Sequence, residues 1–134
     1  MKEVNLEEVT RRIRKMVGNR KFKPFVCYDR DDESNFITVL TADCSLTEHT
    51  VDPLLVLLER NHVEEGQAVF VGFRIEWVSA FERVEFMDDG KLVVSRILSA
   101  ISIDADLRTK AAIEEICLVI LKEFKLDEVN IPAK

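Results

Sequence analysis

The sequence predicts an α+β domain of order α-β-β-α-β-β-β-α, in which helices cover a mainly antiparallel five-stranded sheet. Three observations carry that expectation. Apolar residues recur at helical spacing near both ends of the chain, stretches rich in aromatic and β-branched residues fill its middle, and polar clusters such as "RDDESN" and "DDG" separate those stretches. With 134 residues, 47% of them apolar, the chain suits a single domain over residues 1–134 that needs neither disulfide staples nor a metal.

The first helix is marked by Asn5 as its cap, Glu8 at its third position, and Val4 with Val9 at the places of a hydrophobic staple. Leu6, Val9, Ile13, Met16 and Val17 share one face, and Gly18 stands where a left-handed terminating residue belongs, so this helix ends near Val17. "FKPFVCYD" (22–29) and "FITVLTAD" (36–43) read as a hairpin with a charged tip. Pro24 places the start of its first strand at an edge or an irregular entry. "VDPLLVLLERNH" reads as a short second helix buried on most sides, with Asp52 as N-cap, Pro53 at the first helical position, and Arg60 and His62 near the negative end of the dipole.

"GQAVFVGFRIEW" (66–77) is the next strand, with Val69, Val71, Phe73, Ile75 and Trp77 on one face. Gly72 on the other face leaves room for a ligand or another backbone. "FERVEFM" and "KLVVSRILSAISI" read as a second hairpin with two possible registers. A two-residue loop at Asp89 and Gly90 sets Arg83 opposite Arg96; a three-residue loop, Asp88 to Gly90, pairs Phe86 with Leu92, Val84 with Val94 and Glu82 with Arg96. The second avoids a like-charge contact and is preferred. From Asp106, a further cap, "LRTKAAIEEICLVILKEFK" supports the longest helix: Ile113, Ile116, Cys117, Ile120, Leu121 and Phe124 line one face, and Leu118 and Val119 widen it. A sector that wide exceeds one sheet contact, so Ile113, Leu118, Val119 and Phe124 are expected to meet a second copy or a partner protein. Residues 126–134 read as a loosely ordered tail.

This element order is similar to that of roadblock-type domains, a family of small dimeric regulatory scaffolds. It is also similar to type III secretion chaperones, in which "SLTEHTV" would supply a strand between the first hairpin and the middle helix. The likeness is one of order alone and assigns no role to any residue.

The chain start lacks the apolar stretch of a signal peptide, and the longest apolar runs, Leu54 to Leu58 and Cys117 to Leu121, fall far short of a membrane span. A soluble, cytoplasmic protein is expected. Cys27, Cys44 and Cys117 are an odd number without a CxxC pair, which favours reduced thiols and no metal or other cofactor. The net charge of −6 disfavours a generic nucleic-acid binder, yet it is divided unevenly. Residues 1–24 carry eight Lys or Arg against three Glu, net +5, and the remainder eleven against twenty-two, net −11. Arg11, Arg12, Arg14 and Lys15 are therefore candidates for docking an anion or nucleic acid, with neutralisation by the acidic remainder as the favoured alternative.

"DCSLTEH" (43–49) holds the residue types of a catalytic site: Cys44 as nucleophile, His49 as base and Asp43 as orienting carboxylate. In a strand Cys44 and His49 point to opposite faces, and in a helix they stand about 140° apart, so only an irregular connection lets them meet. Asp43 beside the thiol also raises its pKa, against activation. A metal site recruiting His62 with Asp43 or Glu48 matches no standard zinc spacing. "DRDDESN" (29–35) lacks the glycine and the bidentate Glu of a calcium loop, which have Ser34 and Leu40 in their places. The function these residues predict is a non-enzymatic interaction or regulatory module, acting as a homodimer or on a partner protein. A small enzyme or ligand-binding domain centred on Cys44 and His49 is the alternative, and docking of an anion or nucleic acid on the basic first helix is a weaker one.

Overall fold

The computed structural model describes residues 22–31 and 34–132. The predicted first helix, with Arg11, Arg12, Arg14 and Lys15, lies outside the described residues. The expected hairpin follows. Strand β1 (Phe25–Arg30) runs antiparallel to β2 (Asn35–Leu40), with Phe25 opposite Leu40 and Arg30 opposite Asn35. Asp31 accepts the Ser34 backbone N–H at 2.6 Å, an Asx-type closure of the tip. β1 is an edge strand, where Pro24 costs no ladder bond.

The predicted second helix is instead strand β4 (Leu55–Arg60), paired antiparallel with β3 (Leu46–Asp52), which precedes it over most of "SLTEHTV". The Asp-Pro pair that can open a helix can also open a tight turn: Asp52 Oδ1 accepts the Leu54 N–H at 2.9 Å, and Pro53 presets its own φ. The apolar run Leu54 to Leu58 is too short to reveal a helical period. It fits β4 because that strand lies between β3 and β5 and buries Leu55, Val56, Leu57 and Leu58 on alternating faces. The middle helix on which the likeness to roadblock-type domains and secretion chaperones depends is therefore not there.

Strand β5 (Phe70–Glu76) completes a five-stranded, wholly antiparallel sheet of order β1-β2-β5-β4-β3. Gly72 stands opposite both Leu40 and Leu58, and a Cβ there would collide with the Val39 carbonyl oxygen. The close approach anticipated at this glycine is thus the backbone of β2. Trp77 turns out of the strand at φ 56° and is exposed rather than continuing its inner face.

Beyond β5 the predicted long hairpin shrinks. Two 3-10 turns, Val78–Phe81 and Val84–Phe86, precede β6 (Met87–Asp88), which pairs with β7 (Lys91–Val93). Asp89 and Gly90, at φ 55° and 80°, form a two-residue turn with the left-handed backbone of type I′, so Met87 faces Leu92 and the shorter register holds. The Arg83–Arg96 contact that argued against it never arises, because the chain leaves the ladder on both sides. Helix α1 (Val94–Ala100) begins immediately, with Val94, Ile97, Leu98 and Ile101 buried at helical spacing.

Helix α1 has no side-chain cap from its own N-cap residue, Val93. Asp127 supplies one from across the fold: its carbonyl accepts the Val94 N–H at 2.7 Å, and its carboxylate accepts the Ser95 N–H at 2.7 Å and the Ser95 hydroxyl at 2.8 Å. The chain then forms β8 (Glu128–Asn130) on β7, with Val129 buried, inside the segment expected to be a loose tail. This gives a second sheet of order β6-β7-β8.

Helix α2 (Leu107–Phe124) is where the sequence places it. Asp106 caps it by accepting the Thr109 N–H at 2.8 Å, and it ends on left-handed Lys125 with the Leu126 N–H donating to the Leu121 carbonyl. Its buried residues, Ile113, Cys117, Ile120 and Leu121, join α1 over one sheet face, around Ile37, Val39, Leu55, Leu57, Phe73 and Ile75. On the opposite face Leu40, Val56, Leu58 and Val71 form a smaller cluster flanked by Phe22, Phe25, Ala42, Cys44 and Leu46. Among the described residues no helix is long and apolar enough to cross a membrane.

If Asp127 is the cap of α1, Asp127→Ala lowers stability by about 1–2 kcal/mol in urea denaturation. Asp127→Asn, which keeps an acceptor, loses less. An unchanged midpoint for the alanine variant would exclude the cap.

Candidate functional site

The segment Asp43–His49 is where the sequence concentrates chemistry, and its geometry follows from the β3–β4 pairing. The connection from β2 is fastened at both ends. Thr41 donates its N–H and its hydroxyl to the Val71 carbonyl, each at 2.8 Å, while Asn61, just after β4, donates its backbone N–H to Ser45 O at 3.0 Å and its amide to Ser45 Oγ at 2.7 Å. Thr47 adds a hydrogen bond to the Asn61 side chain. So held, Cys44 is half-buried against the smaller apolar cluster.

His49 lies within β3 opposite Leu57, whose side chain belongs to the other sheet face. It is exposed, and its Nε2 pairs with Glu59 of β4. The structure therefore brings His49 to Glu59 and leaves Cys44, in the irregular connection before β3, against the cluster on the opposite side of the sheet. Burial raises the Cys44 thiol above its ordinary value, the charge of Arg60 opposes that rise, and Asp43 adds to it. The other two thiols are further from reactivity. Burial, with Asp29 beside it, pushes Cys27 up to about 12, and burial with Glu114 nearby does the same for Cys117. Among the described residues no group of three or more His, Cys, Asp or Glu is placed to hold a metal ion.

Among the described residues, the most buried charge lies away from the residues that the sequence marks as candidates. Arg74 of β5 is 6% exposed, and its guanidinium donates from Nε to Glu76 and from a terminal nitrogen to Glu48 of β3, both at 2.6 Å. Its ring-side neighbour is Phe36, 5.9 Å from the guanidinium carbon. Burial disfavours the cation, and the two carboxylates outweigh that cost and hold it charged. The detectable signal is the "RIE" spacing, which puts Arg74 and Glu76 on one strand face; Glu48 required knowledge of the strand order. A guanidinium with both partners already in place is a strut between β5 and β3, reaching over β4. A second polar contact ties β1 to the segment after β5: Tyr28 donates to Glu82 at 2.6 Å, and Arg30 pairs with the same carboxylate.

The predicted interface residues divide. Ile113 turns into the core, whereas Phe124 at the helix end is 38% exposed and stands outside the core cluster. Leu118 and Val119 face outward, 40% and 51% exposed, and with Ala111, Glu114, Glu115 and Lys122 they line a shallow groove along the outer face of α2. Leu107, 86% exposed, extends that face toward the helix start.

Two measurements probe these assignments. Cys44 should react with iodoacetamide no faster than a free thiol at neutral pH, with His49→Ala leaving the rate unchanged; a fast reaction lost in His49→Ala would restore the catalytic pair. Arg74→Ala should cost about 3 kcal/mol in urea denaturation, the low end for a broken buried pair because Glu48 and Glu76 keep 32% and 24% side-chain access to water. A loss below about 1 kcal/mol is what an ordinary surface pair gives and would contradict the strut. Compared with protein-family models, curated proteins and solved structures, the chain matches none of them, so the functional reading rests on its own geometry.

Proposed function

We propose that this chain is a non-enzymatic interaction module whose docking surface is the outer face of α2, acting as a homodimer or on a partner protein. One observation carries the reading. The inner stripe of α2 is already satisfied by the core, and Leu107, Leu118 and Val119 still stand at 86%, 40% and 51% exposure along the opposite side. Single exposed apolar residues are ordinary on a protein surface; three along one helix face, bordered by charged side chains, have the composition of an interface core and its rim. The chemistry of the Asp43–His49 segment supports the same reading from the other side. Its imidazole is engaged by Glu59, and burial shifts its thiol pKa upward, against activation. Three free cysteines, with Cys117 buried, suit a reducing cytoplasmic setting.

The test is Leu118→Asp. An exposed substitution of this kind shifts folding stability by no more than about 0.5 kcal/mol, so the variant should unfold at the wild-type midpoint. In sedimentation velocity the wild-type chain should associate, and the variant should not. Undiminished association of a folded Leu118→Asp chain would place the docking surface elsewhere.

A further inference from the structure

The order of charges along the outer face of α2 selects a partner. From the start of the helix the face presents Leu107, Arg108, Ala111, the acidic pair Glu114 and Glu115, the apolar pair Leu118 and Val119, and then Lys122. At about 100° per residue, Ala111, Glu115, Leu118 and Lys122 fall within roughly 60° of arc, with Glu114 and Val119 on its two flanks. Among the described residues, none of Glu114, Glu115 and Lys122 forms an ion pair within the chain. From Glu114 onward the face thus reads acid, apolar, base, with those charges unspent.

We infer that this face docks on the same face of a second copy, the two α2 helices lying antiparallel across a two-fold axis beside Leu118. The inference rests on the reading of α2 as the docking surface and adds the identity and register of its partner. A two-fold axis perpendicular to the helices makes each residue before Leu118 face one the same distance after it. Leu118 and Val119 of the two copies then meet at the centre. Lys122 of each copy faces Glu114 and Glu115 of the other, so the interface has an ion pair on either side of its apolar middle.

The alternatives place like charges together. A parallel pair sets Glu115 on Glu115 and Lys122 on Lys122. Sliding the antiparallel pair one turn toward the helix start centres it on the four carboxylates of Glu114 and Glu115, and sliding one turn the other way centres it on the two Lys122 ammonium groups. Like charges in contact disfavour a register as effectively as good contacts favour another. An axis between Ala111 and Ala112 would also join opposite charges, Arg108 with Glu115, but its centre holds only alanines; the axis beside Leu118 joins opposite charges at both ends around the larger apolar pair.

The size of the face sets the strength. An 18-residue helix is about 27 Å long, and a strip roughly 10 Å wide along it is well short of the ~800 Å² per partner of a standard stable interface. The dimer is therefore weak and concentration-dependent, and its detection needs a concentration series rather than one dilute sample.

Sedimentation of the full chain over such a series tests the register. The wild-type mass should rise toward that of a dimer. Lys122→Glu, and separately the Glu114→Lys/Glu115→Lys pair, should each weaken the dimer about tenfold, equivalent to 1.4 kcal/mol. Combining all three substitutions in one chain should recover wild-type affinity, because the opposite charges again face each other with their signs exchanged. If Leu118→Asp abolishes the dimer while the charge variants associate as the wild type does, the register is wrong and the docking face stands. If Leu118→Asp leaves the dimer intact, the docking face itself is wrong. A wild-type chain that stays monomeric across the whole series overturns the second copy as the partner.

Discussion

Leu55, Val56, Leu57 and Leu58 are all buried, and because a strand turns successive side chains to opposite faces, β4 commits both faces of the sheet to being covered. Each such burial is worth about 1.5–3 kcal/mol, against roughly 1–2 kcal/mol of backbone entropy for each residue fixed. Burying only every second side chain would come close to break-even. A helix made from the same run would point its apolar residues around most of the circle and would need neighbours on every side. The sheet supplies those neighbours economically: β3 and β5 flank the strand through hydrogen bonds, the helices cover Leu55 and Leu57, and the cluster with Phe25 and Leu46 covers Val56 and Leu58.

The parts of the fold that were legible in the sequence are those whose causes are local. Helix α2 carries its own cap in Asp106 and a long apolar period, and the first hairpin declares itself by two β-rich stretches around a polar tip. The missed elements depend on distant partners. The "LLVLL" run has no period, and only its place between two strands makes it β4. Helix α1 contains β-branched residues and lacks a cap beside it in the chain; its cap, Asp127, lies 32 residues from Ser95. The candidate site divides in the same way. Strand parity already placed Cys44 and His49 on opposite faces if the segment were extended, whereas Glu59 as the histidine's partner follows only from the β3–β4 register. Leu118 and Val119 were legible as surplus apolar surface, but Ile113 could not be told apart from them without knowing which stripe the sheet takes.

Arg74 shows how the sheet tolerates a charge in the same layer as Leu58. Moving an isolated guanidinium out of water costs several kcal/mol even after relaxation, and mutual attraction offsets that cost only when the geometry is good. Here both carboxylates approach at 2.6 Å, one from the same strand two residues on and one from β3 across β4. Such a pair gains little over apolar packing, but it is demanding about position, because a one-residue slip of β3 would turn Glu48 to the other face. His49 constrains the same strand from the opposite face through Glu59. Two adjacent residues of β3 are thereby tied to two different strands, and the edge of the sheet is held in register.

That arrangement also bears on two of the surfaces, among the described residues, on which another chain could dock. As an edge strand, β3 offers backbone hydrogen-bonding groups along its outer side, a template for an added strand. It carries the devices that discourage such pairing: Glu48 and His49 at its centre, exposed threonines on either side, and a register irregularity between Thr50 and Asp52. The opposite edge, β1, lies against β8. The outer face of α2 has no comparable protection. Its charges stand beside the apolar pair rather than within it, and their order of acid before and base after repels a parallel copy while attracting an antiparallel one. Blunted edges and an unblunted helix face are together what the proposed docking through α2 rests on.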